Sequence, residues 1–182
     1  MHIYLVRHGE AAASWQESED PGLSALGLEQ AQRCADQLAA SLGSDIQLVS
    51  SPRLRAWETA LPLGETLSVP VIVEEAFREI EAPVPLAERQ KWLHEIATQR
   101  WEQQHESVQA WRRQVLYALR SIYQPTVVFC HFMVINAIVG ELTQAEKIVC
   151  CMPDNTSVTV VRRQRNELEL IELGDELKTV VN

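Results

Sequence analysis

The chain has 182 residues, of which 46% are hydrophobic and 23% are charged. This length and composition exclude a disordered or low-complexity protein and predict a single domain over residues 1–182, with enough chain to bury a core. Acidic side chains outnumber basic ones by 25 to 16, and the net charge of −9 argues against general binding of nucleic acid. Any site for a small anion must therefore concentrate the few arginines locally.

Cysteine usage and hydropathy predict a soluble, cytoplasmic protein with no membrane partner. The first apolar run, residues 3–6, is too brief for a signal segment. The longest apolar stretch, residues 126–140, is interrupted by His131 and Asn136 and is shorter than the ~20 residues that a membrane span needs. Reduced thiols are favoured because no C-x-x-C spacing occurs among the four cysteines, which are Cys34, Cys130, Cys150 and Cys151.

The chain begins with an alternation of strands and helices. The apolar residues 3–6 predict a buried strand, and residues 46–49 predict a second one. Between them, Ser24 is placed to cap a helix that ends at Gly43, where a left-handed residue is expected. The predicted buried face of this helix comprises Leu28, Ala31, Ala35, Leu38 and Leu42.

A second helix is predicted from about Arg53. It should end or kink near Pro62, because proline lacks the amide donor that the helix needs there. Residues 69–73 predict a third strand. Residues 77–85 contain two prolines and no periodicity, so they predict a loop.

The middle of the chain is predicted to be mostly helical. Residues 86–123 favour two helices with a break between residues 99 and 107. A fourth strand follows at residues 126–130 and an apolar helix at residues 133–142. The second of the two helices carries a predicted buried stripe of Val108, Trp111, Val115, Leu119 and Ile122.

The last part of the chain changes character. Residues 157–162 and 167–173 predict a hairpin, and residues 178–181 predict a last short strand. Strands that alternate with helices predict an α/β fold, a three-layer α/β/α sandwich with a mostly parallel central sheet. In such sheets ligands bind beyond the carboxyl ends of the strands.

Charged side chains and histidines follow each of the first four predicted strands. One such residue alone is more often a surface or capping group, but complementary groups at four strand ends are a much less common accident. The set comprises Arg7, His8 and Glu10 after the first strand, Arg53 and Arg55 after the second, Arg78, Glu79 and Glu81 after the third, and His131 after the fourth.

These residue types suit phosphoryl transfer. Arginine forks and a protonated histidine complement the negative charge on phosphoryl oxygens. A neutral histidine can attack phosphorus and form a phosphohistidine, and a carboxylic acid can protonate the leaving oxygen and later activate water. This scheme needs neither a metal nor a cofactor, and no spaced cluster of Cys, His and Asp predicts a zinc site.

The sequence resembles the signature of the histidine phosphatase superfamily, which includes phosphoglycerate mutases, phosphatases and phosphohistidine phosphatases. The resemblance implies the phosphoglycerate mutase-like form of the predicted sandwich. The matching motifs follow the family's order and are LVRHGE (residues 5–10), DPGLSALGLEQA (20–31), SSPRLRAWETA (50–60), FREI (77–80), VVFCHF (127–132) and DNTSVTVV (154–161).

The resemblance implies roles for the individual positions. His8 matches the nucleophile that becomes phosphorylated, and Arg7 beside it binds the phosphoryl group. Glu79 matches the acid/base glutamate, whereas Glu81 is a neighbour without a role. His131 matches the second catalytic histidine, which is expected to be cationic and to bind phosphate oxygens.

The second arginine of the family motif precedes alanine, so Arg55 matches it and Arg53 does not. Two residues that are two positions apart on a helix face different ways, so only one of them is expected to enter the pocket. Ser14 stands where the family often has Asn and is a candidate phosphate contact.

Three departures from the family pattern are visible. Ala11 replaces a common Ser or Thr and cannot bind phosphate through its side chain. Phe132 and Met133 follow His131, where the family usually has Gly. Residues 81–85 replace a common G-x-x-x-G run after the acid/base glutamate.

Among the tryptophans, Trp92 and Trp111 are predicted to pack in the core, whereas either Trp15 or Trp101 could line the substrate mouth. Cys130 is predicted to be a buried strand residue rather than a nucleophile.

The predicted function is metal-independent hydrolysis of phosphomonoesters, on a small phosphorylated molecule or a phosphoprotein. Mutases of the family are generally longer, so a chain of 182 residues favours hydrolysis. A phosphohistidine protein phosphatase and a mutase stay open as alternatives. A non-catalytic phosphate-binding module is the alternative from another class, and turnover of p-nitrophenyl phosphate would discriminate against it.

Overall fold

A computed structural model describes residues 1–13 and 20–177. The described strands are β1 (His2–Arg7), β2 (Gln47–Ser50), β3 (Val71–Val73), β4 (Thr126–Cys130), β5 (Val158–Gln164) and β6 (Glu167–Glu172). The described α-helices are α1 (Ala25–Ala39), α2 (Leu54–Leu67), α3 (Arg89–Ala97), α4 (Glu106–Arg120) and α5 (Phe132–Thr143). Three short 3₁₀ turns lie at Glu75–Phe77, Leu86–Glu88 and Trp101–Gln103. None of the helices in these ranges has the length and apolar character needed to cross a lipid bilayer.

The described strands form one sheet in the order β3-β2-β4-β1-β5-β6. β1, β2, β3 and β4 pair in parallel. β5 runs antiparallel to β1, and β6 runs antiparallel to β5. The predicted α/β sandwich with a mostly parallel central sheet is therefore confirmed, and so is the terminal hairpin. The predicted strand at residues 178–181 lies outside the described residues.

Alternation along β1 sends side chains into two separate cores, one on each face of the sheet. Ile3 and Leu5 belong to the core that α4 and α5 cover, whereas Val6 belongs to the core under α1 and α2. β1 is therefore buried on both faces, as a central parallel strand requires. A third cluster, with Ile80 and Trp101, joins the segment before α4 to α5.

Helix α1 begins as predicted but ends differently. Ser24 Oγ accepts the amide of Gly27, which confirms the N-cap. The helix ends at Ala39 and its C-cap residue, Ala40, is in the right-handed conformation, so the prediction of a left-handed residue at Gly43 is wrong. The amides of Ala40 and Leu42 donate to carbonyl oxygens of the last turn. These carbonyls are therefore satisfied without a left-handed residue after the helix. Leu28 is 55% exposed, contrary to the prediction, because Gly27 takes the buried position beside it.

Helix α2 continues through Pro62 to Leu67, so of the two outcomes predicted for the proline, an end or a kink, the helix does not end there. Leu63 and Gly64 are buried directly after the proline, and their packing against the sheet outweighs the lost hydrogen bond. Ser68, in the left-handed conformation, ends the helix and returns the chain to β3.

The predicted break between the two middle helices is confirmed, since α3 ends at Ala97 and α4 begins at Glu106. Val108, Val115 and Leu119 are buried as predicted. Trp111 is half-buried and its indole nitrogen donates to the carbonyl of Arg78, which ties α4 to the segment that precedes Glu79.

Two glycines allow the loop after β1 to cross the first turn of α1. A Cβ on Gly9 would lie 2.7 Å from the carbonyl oxygen of Gly27, and a Cβ on Gly27 would collide with the carbonyl oxygen of Glu10. Both obstacles are backbone atoms, which cannot turn aside as a flexible side chain would. The position of the loop after β1 therefore depends on both glycines.

We expect Gly27→Ala to lower the free energy of unfolding by about 1–3 kcal/mol, because the methyl group overpacks a backbone crossing. Gly43→Ala is the matched control, since nothing lies within 4 Å of a Cβ at Gly43 and no described glycine has a positive φ. The control should be neutral or stabilising by about 0.4–1 kcal/mol. Urea denaturation of both variants measures the difference, and equal stability would contradict the crossing.

Candidate active site

The register of the sheet brings the residues after three strands together. Arg7 on β1 lies opposite Cys130 on β4, and Ser50 on β2 lies opposite Phe129. The next residues along the three strands are His8, Ser51 and His131, so they sit side by side at one edge of the sheet. The two imidazole rings have centroids 5.2 Å apart at an interplanar angle of 61°. The predicted convergence of strand ends is thus observed for both histidines.

The ring of His8 is buried and held at both nitrogens. Nδ1 lies 2.7 Å from the carbonyl oxygen of Gly9, which can only accept, so Nδ1 carries the proton. Nε2 is then the lone-pair nitrogen, and it accepts a hydrogen bond of 3.0 Å from Nε of Arg55. Burial lowers the pKa of His8 well below its ordinary value, and the charges of Arg55 and Arg7 lower it further. The ring is therefore neutral, with its free lone pair on Nε2.

Thr59 ties the loop of His8 to helix α2. Its Oγ1 accepts the amide of Gly9 at 3.0 Å and donates to the carbonyl oxygen of Arg55 at 2.6 Å. Thr59 is fully buried, so this pair of bonds is shielded from competing water. One hydroxyl thus sets the loop of His8 relative to the backbone of Arg55.

Arg55 is buried in the first turn of α2. In addition to His8, its guanidinium faces Asp20 at 3.9 Å. Arg53 lies close to the site as well, because its charge acts on both Arg55 and His131. The argument from helix rotation does not predict this, because Arg53 precedes the helix in an extended conformation and is its N-cap.

His131 is completely buried after β4. Its Nε2 lies 2.7 Å from the hydroxyl of Ser51, and its Nδ1 has no hydrogen-bond partner among the described residues. Burial lowers the pKa of His131 well below its ordinary value, and the nearby Arg55 contributes in the same direction. His131 is therefore neutral in these surroundings, contrary to the expected cation. A bound phosphate dianion would favour the charged form, because its charge opposes that of the guanidinium groups.

The carboxyl group of Glu79 is buried next to the two arginines. One oxygen accepts the amide of Ile80 at 2.9 Å, and the other accepts the amide of Met133 at 3.2 Å. Burial raises the pKa of Glu79, and the two amides and the charges of Arg55 and Arg7 only partly offset this. A carboxyl group with a raised pKa can hold a proton at higher pH than an exposed glutamate, as a general acid must.

Arg7 crosses the site from the end of β1. It donates to the carbonyl oxygen of Pro153 at 2.8 Å, and its guanidinium lies 5.5 Å from the centre of the Phe132 ring. Its buried Nε has no hydrogen-bond partner in the described part of the chain. Buried polar atoms are normally paired, so Arg7 Nε and His131 Nδ1 are the atoms expected to meet a bound oxyanion.

The departures from the family pattern have structural counterparts. Phe132 lies against Arg7, and the amide of Met133 is occupied by Glu79. Ala11 forms a backbone bridge to Leu23, where its side chain is not needed. Ser14 lies outside the described residues, so its role as a phosphate contact stays a prediction.

The structure agrees with some of the predictions for the tryptophans and for Cys130, but not with all of them. Trp92 and Trp111 pack against the third cluster as predicted. Trp101 is buried and stacks on Trp111 with ring centroids 6.4 Å apart, so it does not line a substrate mouth. Trp15 lies outside the described residues. Cys130 is buried in β4, and burial raises the pKa of its thiol, which agrees with a strand-interior role.

Several residues of the site carry no role in the sequence interpretation. Ser51 and Thr59 lie in the motif at residues 50–60, and this motif is the sequence feature that could have identified them as site residues. Asp20 acts through its charge on Arg55, and Asp154 acts on Arg7. The partners of each pair are far apart in the sequence, so only the folded structure shows that they are close. Within residues 1–13 and 20–177, no cluster of three or more His, Cys, Asp or Glu side chains is arranged to hold a metal ion.

The fold and these side chains define an α/β protein with a buried site of two histidines, two arginines and one carboxyl group at the carboxyl edge of its sheet. The sequence model of the histidine phosphatase superfamily (branch 1) matches residues 3–176. The chain therefore belongs to this superfamily, and the predicted class of enzyme, a phosphatase, is confirmed.

Individual relatives agree with this family. A protein of Hydrogenobacter thermophilus that carries the name phosphoserine phosphatase 2 is 26% identical over 94% of both chains. A phosphoserine phosphatase from Entamoeba histolytica, solved with 3-phosphoglyceric acid, has a TM-score of 0.73 at 18% identity, over 96% of both chains. A mycobacterial glucosyl-3-phosphoglycerate phosphatase has a TM-score of 0.68 at 22% identity, over 88% of this chain and 89% of that one. The solved structures support the fold.

The buried neutral histidines should make stability depend on pH. In the folded protein the pKa of His131 lies well below 6.5, whereas an unfolded histidine takes up a proton near that value. Below about pH 6.5 the unfolded chain therefore binds more protons, and the free energy of unfolding falls by up to about 1.4 kcal/mol per pH unit for each such histidine.

We expect His131→Gln to reduce this slope between about pH 6.5 and pH 5.5, as measured by urea denaturation. His2→Gln, at the exposed start of β1, is the control and should leave the slope as in the wild type. Parallel curves for the wild type and His131→Gln would show that His131 becomes protonated in the folded protein.

Proposed function

We propose that the protein hydrolyses phosphomonoesters of small molecules through a phosphohistidine on His8, without a metal ion. The observation that carries this proposal is the state of the His8 ring. Its proton is on Nδ1, its lone pair is on Nε2, and its lowered pKa keeps the ring neutral, with Nε2 unprotonated. A nucleophilic histidine needs this combination, because only the unprotonated nitrogen can attack phosphorus.

The phosphoryl group is proposed to bind between Arg7, Arg55 and His131. In the first step, Arg55 transfers its Nε hydrogen bond from His8 to a phosphoryl oxygen, which exposes the lone pair of His8. Nε2 of His8 then bonds to phosphorus while the bond to the leaving oxygen breaks. The guanidinium groups stabilise the charge on the equatorial oxygens.

Glu79 is proposed to donate its proton to the leaving oxygen, so that the alcohol departs uncharged. In the second step, the carboxylate of Glu79 takes a proton from water as the water oxygen attacks phosphorus. The bond between phosphorus and Nε2 of His8 breaks, inorganic phosphate leaves, and Glu79 is protonated again. The raised pKa of Glu79 suits both halves of this cycle.

His8→Ala should abolish turnover, because no other described side chain combines a neutral ring, a lone pair and contact with Arg55. Rapid acid-free quenching of the wild type with ³²P-labelled substrate should trap a phosphoryl group that is labile to acid and stable to alkali. Peptide mapping should place it on His8. A fully active His8→Ala enzyme would contradict the assignment of the nucleophile.

Glu79→Gln should slow the phosphorylation step according to the leaving group. An alkyl phosphate releases a poor leaving group, so its single-turnover rate should fall by roughly 10²–10⁴. p-Nitrophenolate leaves without a proton, so p-nitrophenyl phosphate should suffer much less. Single-turnover rates are required because Glu79 is also proposed to act in the second step.

Glu75→Gln is the control for Glu79→Gln. Glu75 lies four residues before Glu79 in the sequence, is exposed and pairs with Arg78. The substitution should therefore leave both rates unchanged. Equal losses on both substrates in Glu79→Gln would mean that Glu79 positions the pocket without donating a proton. That result would favour the phosphohistidine protein phosphatase, whose imidazole leaving group needs no such acid.

Treatment with EDTA should leave the rate of p-nitrophenyl phosphate hydrolysis unchanged. The reason is that Arg7, Arg55 and His131 supply the charge and the donors that a phosphoryl group needs. Loss of activity in EDTA that a divalent ion restores would contradict this part of the proposal.

A further inference from the structure

Ser51 lies between the second histidine of the site and the start of helix α2. Ser51 and His131 are both completely buried. The Ser51 hydroxyl oxygen accepts the backbone amide of Arg53 at 3.2 Å and lies 2.7 Å from Nε2 of His131. A backbone amide can only donate, so it uses a lone pair of the oxygen and leaves the hydroxyl proton for another partner. Within the described part of the chain, the imidazole of His131 is the group in reach of that proton.

The two tautomers of His131 differ in how many buried polar groups they leave unmatched. With the ring proton on Nε2, the hydroxyl of Ser51 would accept twice and its own proton would have no acceptor, while the lone pair on Nδ1 would have no donor. With the ring proton on Nδ1, the hydroxyl donates to Nε2 and only the Nδ1 proton is unmatched. Buried polar groups without partners are costly, so the second tautomer is the favoured one.

This tautomer also lets a neutral ring bind an oxyanion. Nδ1 of His131 has no hydrogen-bond partner among residues 1–13 and 20–177, and the ring of His8 lies beside it with centroids 5.2 Å apart. A lone pair on Nδ1 would repel a phosphoryl oxygen, whereas an N–H group donates to it. Burial holds the pKa of His131 low, so the donor must come from the choice of tautomer and not from an added proton.

We infer that Ser51 is a positioning residue, whose hydroxyl donates to Nε2 of His131 and thereby holds the ring proton on Nδ1, from which the neutral ring donates to a phosphoryl oxygen. The inference rests on the proposed function and adds a residue to it. Ser51 does not touch the phosphoryl group and acts through His131. If a bound dianion brings a second proton to Nε2, the hydroxyl rotates and accepts it, so the Nδ1 donor is kept in both charge states.

Nitrogen-15 NMR of histidine-labelled protein tests the tautomer in the wild type without any change to Ser51. The signals of His131 are assigned by their loss in His131→Gln. They should show a protonated Nδ1 and an unprotonated Nε2. In Ser51→Ala the donor to Nε2 is missing, so the proton should be shared between the two nitrogens and both signals should move towards each other. Ser51→Cys keeps a weak donor and should restore part of the wild-type pattern.

Binding of inorganic phosphate, measured by calorimetry, tests the consequence for the site without requiring turnover. Ser51→Ala should raise the Kd by about 3- to 10-fold, as loss of one hydrogen bond does. The same substitution in the His131→Gln background should change the Kd by less than about twofold, because the ring through which Ser51 acts is missing. A role limited to holding the amide of Arg53 would give the same loss in both backgrounds.

Ser50→Ala is the matched control. Ser50 is also completely buried at the end of β2, but its hydroxyl donates to the carbonyl oxygen of Ser51 at 2.8 Å and does not contact the histidine. This variant removes a buried hydroxyl from the neighbouring position and should leave both the signals of His131 and the Kd for phosphate as in the wild type.

The outcomes separate this inference from the proposed function. A wild-type His131 with its proton on Nε2, unchanged signals in Ser51→Ala, or equal losses of binding in Ser51→Ala and Ser50→Ala would each overturn the role of Ser51 and leave the nucleophile unaffected. A protein with the expected tautomer and phosphate binding that hydrolyses no phosphomonoester would overturn the proposed function and leave Ser51 as a determinant of phosphate binding. A wild type that does not bind phosphate would overturn both.

Discussion

The hydrogen bond from Nδ1 of His8 to the carbonyl oxygen of Gly9 decides which nitrogen of the ring carries the lone pair. With the proton held on Nδ1, the lone pair lies on Nε2, next to Arg55 and across from His131. The carbonyl oxygen of Gly9 can accept this hydrogen bond only because the loop after β1 is held in place. The amide of Gly9 bonds to Thr59, and the backbone of the loop passes close to Gly27. Helices α1 and α2 therefore orient the peptide group that fixes the tautomer of His8.

The site combines charges that water would otherwise solvate. Burial lowers the pKa values of Arg7, Arg55, His8 and His131 and raises that of Glu79, so the cations are destabilised and the carboxyl group favours its proton. The fold sustains these costs through two cores that anchor β1 and β4 on both faces. A bound phosphoryl group would relieve much of this cost, because its oxygens would satisfy Arg7 Nε and His131 Nδ1, which have no hydrogen-bond partner among the described residues.

The strands and the site motifs could be predicted because local signals determine them. Residues 127–130 form a short apolar run, and the strand predicted at residues 126–130 has the bounds of β4, with His131 directly after it. Features that depend on packing could not be predicted. Pro62 stays inside a helix because Leu63 and Gly64 are buried, and Leu28 is exposed because Gly27 meets the loop of His8. The neutral state of His131 and the place of Arg53 depend on charges brought together from different strands, which no single segment reveals.

The tautomer and charge of His8 are the central claim, and nitrogen-15 NMR of the imidazole measures both directly. In protein labelled at histidine, one ring should show a protonated Nδ1 and an unprotonated Nε2, and it should keep these signals as the pH falls well below 6.5. His8→Ala should remove this pair of signals and so assign them. A His8 ring with its proton on Nε2, or one that becomes an imidazolium near pH 6.5, would contradict the account.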